Sequence, residues 1–240
     1  MNPPPISTGH GRSRARLLAG SLAWALVAQY FVVEALAQLA WTGSPYSMRY
    51  NLISDLGATI CGQMPVLGTV VCSPLHPLMN ASFMLTGIVT ILGALLLRSV
   101  FPPGRSVTLS LLLIFLSSLG TIAVGLFPEN EQPVAHVIGA ATSILFGNLG
   151  LVILGLRLRR AAWPRWFALG TLAFGSIGLL GLLLLPLGLL PPVGVGLMER
   201  IAAYPLTLWV ALCGLYFLRR TGWGRGGRSA DPDPTDASSS

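Results

Sequence analysis

Six apolar stretches, each about as long as a bilayer is thick, govern what this chain can fold into. At about 1.5 Å per helical residue, roughly 20 residues cross a hydrocarbon core of about 30 Å. Stretches of that order occupy residues 17–41, 78–97, 107–127, 134–156, 167–190 and the shorter 201–218. Hydrocarbon gives backbone N–H and C=O groups no partner, so a chain crossing it this often crosses as helices. The expected fold is an all-α polytopic bundle of six transmembrane helices. Composition agrees: 53% of residues are hydrophobic and 10% charged, where soluble domains carry about a quarter charged. The net charge of +7 does not make a nucleic-acid protein, because its arginines fall in short clusters between apolar runs rather than on one polar face.

Three regions follow. Residues 1–16, rich in Pro, Gly and Ser with Arg12, Arg14 and Arg16, read as a disordered basic cytoplasmic tail. Residues 17–220 form the six-helix domain, and residues 221–240 a second disordered cytoplasmic tail. A signal peptide competes for the first span, since Ala35-Leu36-Ala37 resembles a cleavage site. The run exceeds the usual apolar core of about 7–15 residues, which favours a retained helix. Thirteen of the fifteen arginines flank one set of span ends, and Arg49 and Arg200 alone flank the other. By the positive-inside rule both termini are cytoplasmic, and the loop after the first span lies outside. The all-arginine usage, without lysine, reads as a GC-rich genome.

That outer loop, residues 50–80, holds the densest set of chemically capable side chains. Cys61 and Cys72 lie in an exported segment where disulfides persist, so a bridge is the leading expectation and two free thiols the alternative. Closing such a loop contributes about 2–4 kcal/mol. The apolar residues 64–71 are too few to span and suggest a short strand or interfacial turn, while Cys213, inside the last span, reads as a packing residue.

The candidate polar pocket comprises Glu34, Asp55, His76, Asn80, His136, Glu199, Arg200 and Tyr204. Glu34 is the one acid within a span and shares a stripe with Tyr30, Gln38 and Trp41; an ionisable group there is a functional candidate or an interfacial residue reaching water. Arg200 and Tyr204 share a stripe with Thr207, and Arg200 needs an anion: Asp55, Glu34 or a lipid phosphate. Glu199 points elsewhere and is expected in solvent. His136 begins a small-residue seam with Gly139, Ser143 and Gly147 suited to close packing in lipid. Asp55, His76 and His136 supply the ligand types of an open zinc site, but without any metal-ligand spacing, so no metal or cofactor is assigned. Ser54, Ser73 and Ser82 lack a nucleophile elbow.

The strings N-L-I-S-D-L-G (51–57), N-A-S-F with Gly87, G-L-F-P-E-N (125–130) with His136, and G-L-M-E-R-I-A-A-Y-P with Trp209 resemble an uncharacterised prokaryotic membrane family, domain of unknown function 998. That family is distantly similar to DRAM and Sfk-like six-helix proteins. The resemblance covers most of the chain and implies six helices and an outer-face cluster of Asp55, Asn80, His136, Glu199 and Arg200; the expected location is a bacterial plasma membrane. It implies no activity. The expected role is non-catalytic binding of a lipid headgroup or a membrane-protein partner. The alternatives are a metal-assisted hydrolase or transferase acting on lipid, and a small-solute or proton-coupled transporter using Glu34 and Arg200.

Overall fold

The computed structural model describes residues 11–64, 69–161, 163–185 and 193–221. Six helical spans among them are long and apolar enough to cross a membrane, so the chain is a multi-pass membrane protein. The first span is two helices, α1 (Gly11–Leu26) and α2 (Gln29–Leu39). Then come α3 (His76–Leu97), α4 (Arg105–Leu126), α5 (Pro133–Arg159), α6 (Arg165–Leu184) and α7 (Val195–Arg220). Helix α1 starts at Gly11, within the stretch read as a basic tail; residues 1–10, 222–240 and the expected end of the fifth span at 186–190 lie outside the described residues.

Two span boundaries differ from the sequence reading. The first run breaks at Val27 and Ala28, whose amides turn back to the carbonyls of Trp24 and Ala25 three residues earlier. Neither Pro nor Gly sits there. The break coincides with Gln29, whose amide crosses to α3, donating to Thr86 Oγ1 (2.9 Å) and accepting from Ser82 Oγ (3.0 Å). At the other end of the chain α7 starts at Val195 rather than near Ile201, which draws Glu199 and Arg200 into a span. Gly194 permits that start: its φ of +86° suits glycine, and a Cβ would strike the carbonyl of Arg49.

Successive helices pack side by side, and α1 closes the ring by meeting both α7 and α3. Glycines mark the close approaches, as hydrocarbon packing favours. Gly139 faces Ala123 and Gly120, Gly147 faces Ser117 and Leu206, Gly175 and Gly178 face Asn148, and Gly181 faces Ala202. Gly170, by contrast, has open space beside it. Pro205 interrupts the α7 ladder. Beside it the Asn148 amide donates to the carbonyl of Ala202 at 3.0 Å.

Two apolar clusters divide the bundle. At one end Trp24, Phe101, Phe167, Trp209 and Phe217 pack edge to face with buried aliphatics such as Leu151 and Leu154. At the other, Tyr30, Trp41, Met79, Phe83 and Val124 pack beneath Ile53 and Leu56 of the segment joining α2 to α3. That segment is the cap. In it, β1 (Cys61–Gln63) pairs antiparallel with β2 (Val70–Cys72), placing Cys61 opposite Cys72, and the two form a disulfide. β1 ends just before the apolar 64–71 run and β2 takes up its last two residues, Val70 and Val71; residues 65–68 lie outside the described residues. A 3-10 turn at Ser54–Gly57 lies buried below the hairpin. Ser73 Oγ donates to the carbonyl of Leu56 (2.7 Å) and Asn80 Nδ2 to that of Gly57 (2.9 Å). The short α4–α5 loop joins in through Asn130 and Glu131, which bind Thr59.

Candidate functional site

Arg200 is the fastening point of the cap end. Its side chain is 2% exposed, a costly position for a guanidinium unless its donors are used. One terminal nitrogen donates to the carbonyls of Met48 (3.2 Å), Asn51 (2.9 Å) and Gly196 (2.9 Å). The other donates to Glu34 Oε1 at 3.2 Å, an ion pair buried on both sides, and to the hydroxyl of Tyr46. Glu34 in turn accepts from Tyr204 Oη at 2.7 and 2.8 Å and from Gln38 Nε2 at 2.9 Å. The network ties α2, the cap and α7 together, and its anion is Glu34 rather than Asp55. Burial holds the Tyr46 hydroxyl well above its ordinary pKa, the adjacent Arg200 partly opposing this, so Tyr46 stays protonated.

Asp55 serves the 3-10 turn instead. Its Oδ2 accepts from the Leu52 amide (2.9 Å) and Asn51 Nδ2 (3.3 Å), reaching back from inside the turn to tie it to the residues just before it. Glu199, expected in solvent, is turned inward. It accepts from the Ile53 amide and from Ser54 Oγ at 3.1 Å, because the longer α7 carries it under the cap. A third acid, Glu129 of the α4–α5 loop, is 9% exposed and lies against Asp55 and Ser54. Burial first, then the charges of Asp55 and Glu199, push its carboxyl up to about 9.

Below this roof the centre of the ring holds a cavity of about 70 Å³. Ile53 and Ser54 line its top, Tyr30, Phe83 and Val124 its apolar wall, and Glu199, His136, Thr86, Thr121, Ser143 and Thr207 its polar wall. The Nδ1 of His136 meets the carbonyl of Phe127 at 2.8 Å, so Nδ1 carries the proton of the neutral ring. A smaller hollow of about 20 Å³ continues the hydroxyl lining through Thr90 and Ser118 to Asn148.

A family model described as protein of unknown function (DUF998) matches residues 18–216, nearly the whole of the spanning region. The chain belongs to that family. No curated protein and no solved structure matches it.

In this DUF998 chain the sequence candidates therefore divide. Glu34, Arg200 and Tyr204 form one hydrogen-bonded cluster. Asp55 and Glu199 sit in the adjacent acidic group, and His136 in the cavity wall. Asn80 is used on Gly57. His76 stands apart at the start of α3, with Nδ1 on the Ser73 carbonyl, so it does not join Asp55 and His136 in a metal set. No three His, Cys, Asp or Glu side chains converge for a metal among the described residues. Cys213 is buried and free in α7. Sequence reasoning missed Tyr46, Ser54 as a carboxylate partner, and Glu129. Glu129 had a signal in its proline-flanked position within a quoted family string; Tyr46 had none.

Proposed function

We propose that this DUF998 protein is a non-catalytic binding protein of the bacterial plasma membrane, with the cap outside, both termini in the cytoplasm, and a central cavity that takes the ammonium of a lipid headgroup. The observation that carries this is the cavity lining. Its wall offers several neutral hydroxyls, two aromatic rings and one carboxylate, Glu199. A carboxylate in the same cavity as the rings of Tyr30 and Phe83 favours an ammonium group through charge and cation–π attraction. Arg200, the natural phosphate partner, has both terminal nitrogens taken by Glu34, Tyr46 and three carbonyls, and although its buried Nε has no partner among the described residues, Arg200 is not among those lining the cavity, so a phosphate there gains no guanidinium. The orientation rests on the arginine distribution, since thirteen of the fifteen lie at the end opposite the cap or in the tails. The transport alternative needs a path beyond Asn148, where the packed Leu151, Leu154 and Trp209 stand. The hydrolase alternative needs a convergent ligand set that Asp55, His76 and His136 do not form.

Native mass spectrometry of protein released from phosphatidylethanolamine or phosphatidylglycerol nanodiscs tests the reading. Phosphatidylethanolamine should remain bound at one equivalent and phosphatidylglycerol should not. Ala203→Phe, which fills the cavity from α7, should remove the retained lipid. Equal retention of both lipids, or retention unaffected by a folded Ala203→Phe protein, would contradict it.

A further inference from the structure

Asp55 and Glu129 belong to different segments, the cap and the α4–α5 loop, yet their carboxyls lie within hydrogen-bonding reach of each other. Asp55 is 1% exposed and Glu129 9%. Oδ1 of Asp55 and Oε1 of Glu129 are both buried and find no donor among the described residues. Two ionised carboxylates so placed repel each other and leave two acceptors unsatisfied. The charged neighbours do not relieve this. Glu199, from α7, adds a third acid on the far side of Ser54. Arg200, also from α7, has both terminal nitrogens on Glu34, Tyr46 and backbone carbonyls, and its buried Nε bonds neither carboxyl and has no partner among the described residues. His136, from α5, holds the carbonyl of Phe127, and Glu131, on the same loop, is bound by Thr59. A single proton between the two carboxyls resolves the arrangement: one becomes a donor, the other its acceptor, and both orphaned oxygens are satisfied.

We propose that Asp55 and Glu129 form a proton-binding site, one proton held between them that latches the cap onto the α4–α5 loop. Nothing else is consumed or formed; the proton comes from solvent and returns to it. The raised Glu129 carboxyl, up to about 9, keeps the site loaded at neutral pH. The sign follows from linkage. The folded chain holds this proton above pH 4.5, the ordinary value at which an unfolded chain releases it. The stability it contributes is therefore complete below that value, falls as pH rises, and is lost once pH passes about 9. The site depends on the cap geometry alone, so it stands or falls separately from ammonium binding in the cavity.

Infrared difference spectroscopy of the full-length protein, titrated from neutral to strongly alkaline pH, reads the C=O stretch of a protonated carboxylic acid. The expected result is a band present at neutral pH that disappears with a midpoint near 9. Glu129→Gln should remove that band, and Asp55→Asn, by deleting the neighbouring charge, should move its loss to lower pH. The melting temperature of the wild type should fall across the same range, and that of Glu129→Gln should lose this dependence. A neutral-pH spectrum without the band, or a band unchanged in folded Glu129→Gln and Asp55→Asn proteins, would overturn the proposal. Should neither variant fold, the wild type decides: loss of the band together with the fall in melting temperature supports the latch, and a band persisting at strongly alkaline pH overturns it.

Discussion

Arg200→Gln is expected to cost about 3–5 kcal/mol of stability, the usual penalty for leaving a buried charge without its partner. The stranded group is Glu34, 2% exposed, which would keep Tyr204 and Gln38 but lose its cation. The same change frees the carbonyls of Met48 and Asn51, so the cap loses two attachments to α7 at once. Glu34→Gln alone should be nearly as damaging, because the guanidinium then sits buried with Tyr46 and carbonyl dipoles only. The double variant should recover part of the loss, since neither charge remains to be compensated. Thermal unfolding of the four proteins in one detergent measures this. Strictly additive losses would mean that the 3.2 Å contact carries no coupling.

The second large effect is expected at Gly196. A side chain there would meet the carbonyl oxygens of Asn51 and Met48, which are backbone atoms and cannot rotate aside. Gly196→Val should therefore lever the cap off α7, at or above the upper end of the ~1–3 kcal/mol usual for overpacking. It would also disturb the carbonyl of Gly196 that Arg200 binds at 2.9 Å. Gly170→Ala is the matched control, with nothing within 4 Å of the added methyl, and should melt within a degree or two of the wild type. Equal melting temperatures for Gly196→Val and Gly170→Ala would show that the cap does not rest on α7 as described.

The membrane bundle was legible because hydrocarbon imposes one simple requirement, about 20 apolar residues per crossing, and the chain states it six times. The Cys61–Cys72 bridge was legible for a similar reason: two cysteines in one short loop leave few alternatives. The pocket was harder. Helical spacing places Arg200 and Tyr204 on one stripe and Glu34 near one end of its helix, but spacing within a helix says nothing about how neighbouring helices are turned. The choice between Glu34 and Asp55 as the partner of Arg200 was therefore open. Glu199 was misread because the apolar run begins near Ile201, whereas the helix starts at Val195 behind Gly194 and carries the carboxylate under the cap. Hydropathy marks where a span is apolar, and a helix extends past that wherever its polar groups find partners. Glu129 shows the complementary gap. An acid in a short polar loop reads as solvated, and only the cap folding over it makes it buried.

The central claim, that the cap roofs a cavity which holds an ammonium headgroup, is tested most directly by a cryo-electron-microscopy map of the protein in phosphatidylethanolamine nanodiscs. The account predicts density for the headgroup inside the ring, its amine against the carboxylate of Glu199 and within reach of Thr207 and Ser143, with the Ser54–Gly57 turn closed above it. A cavity without density, with ordered lipid only on the outer surface of the helices, would contradict it.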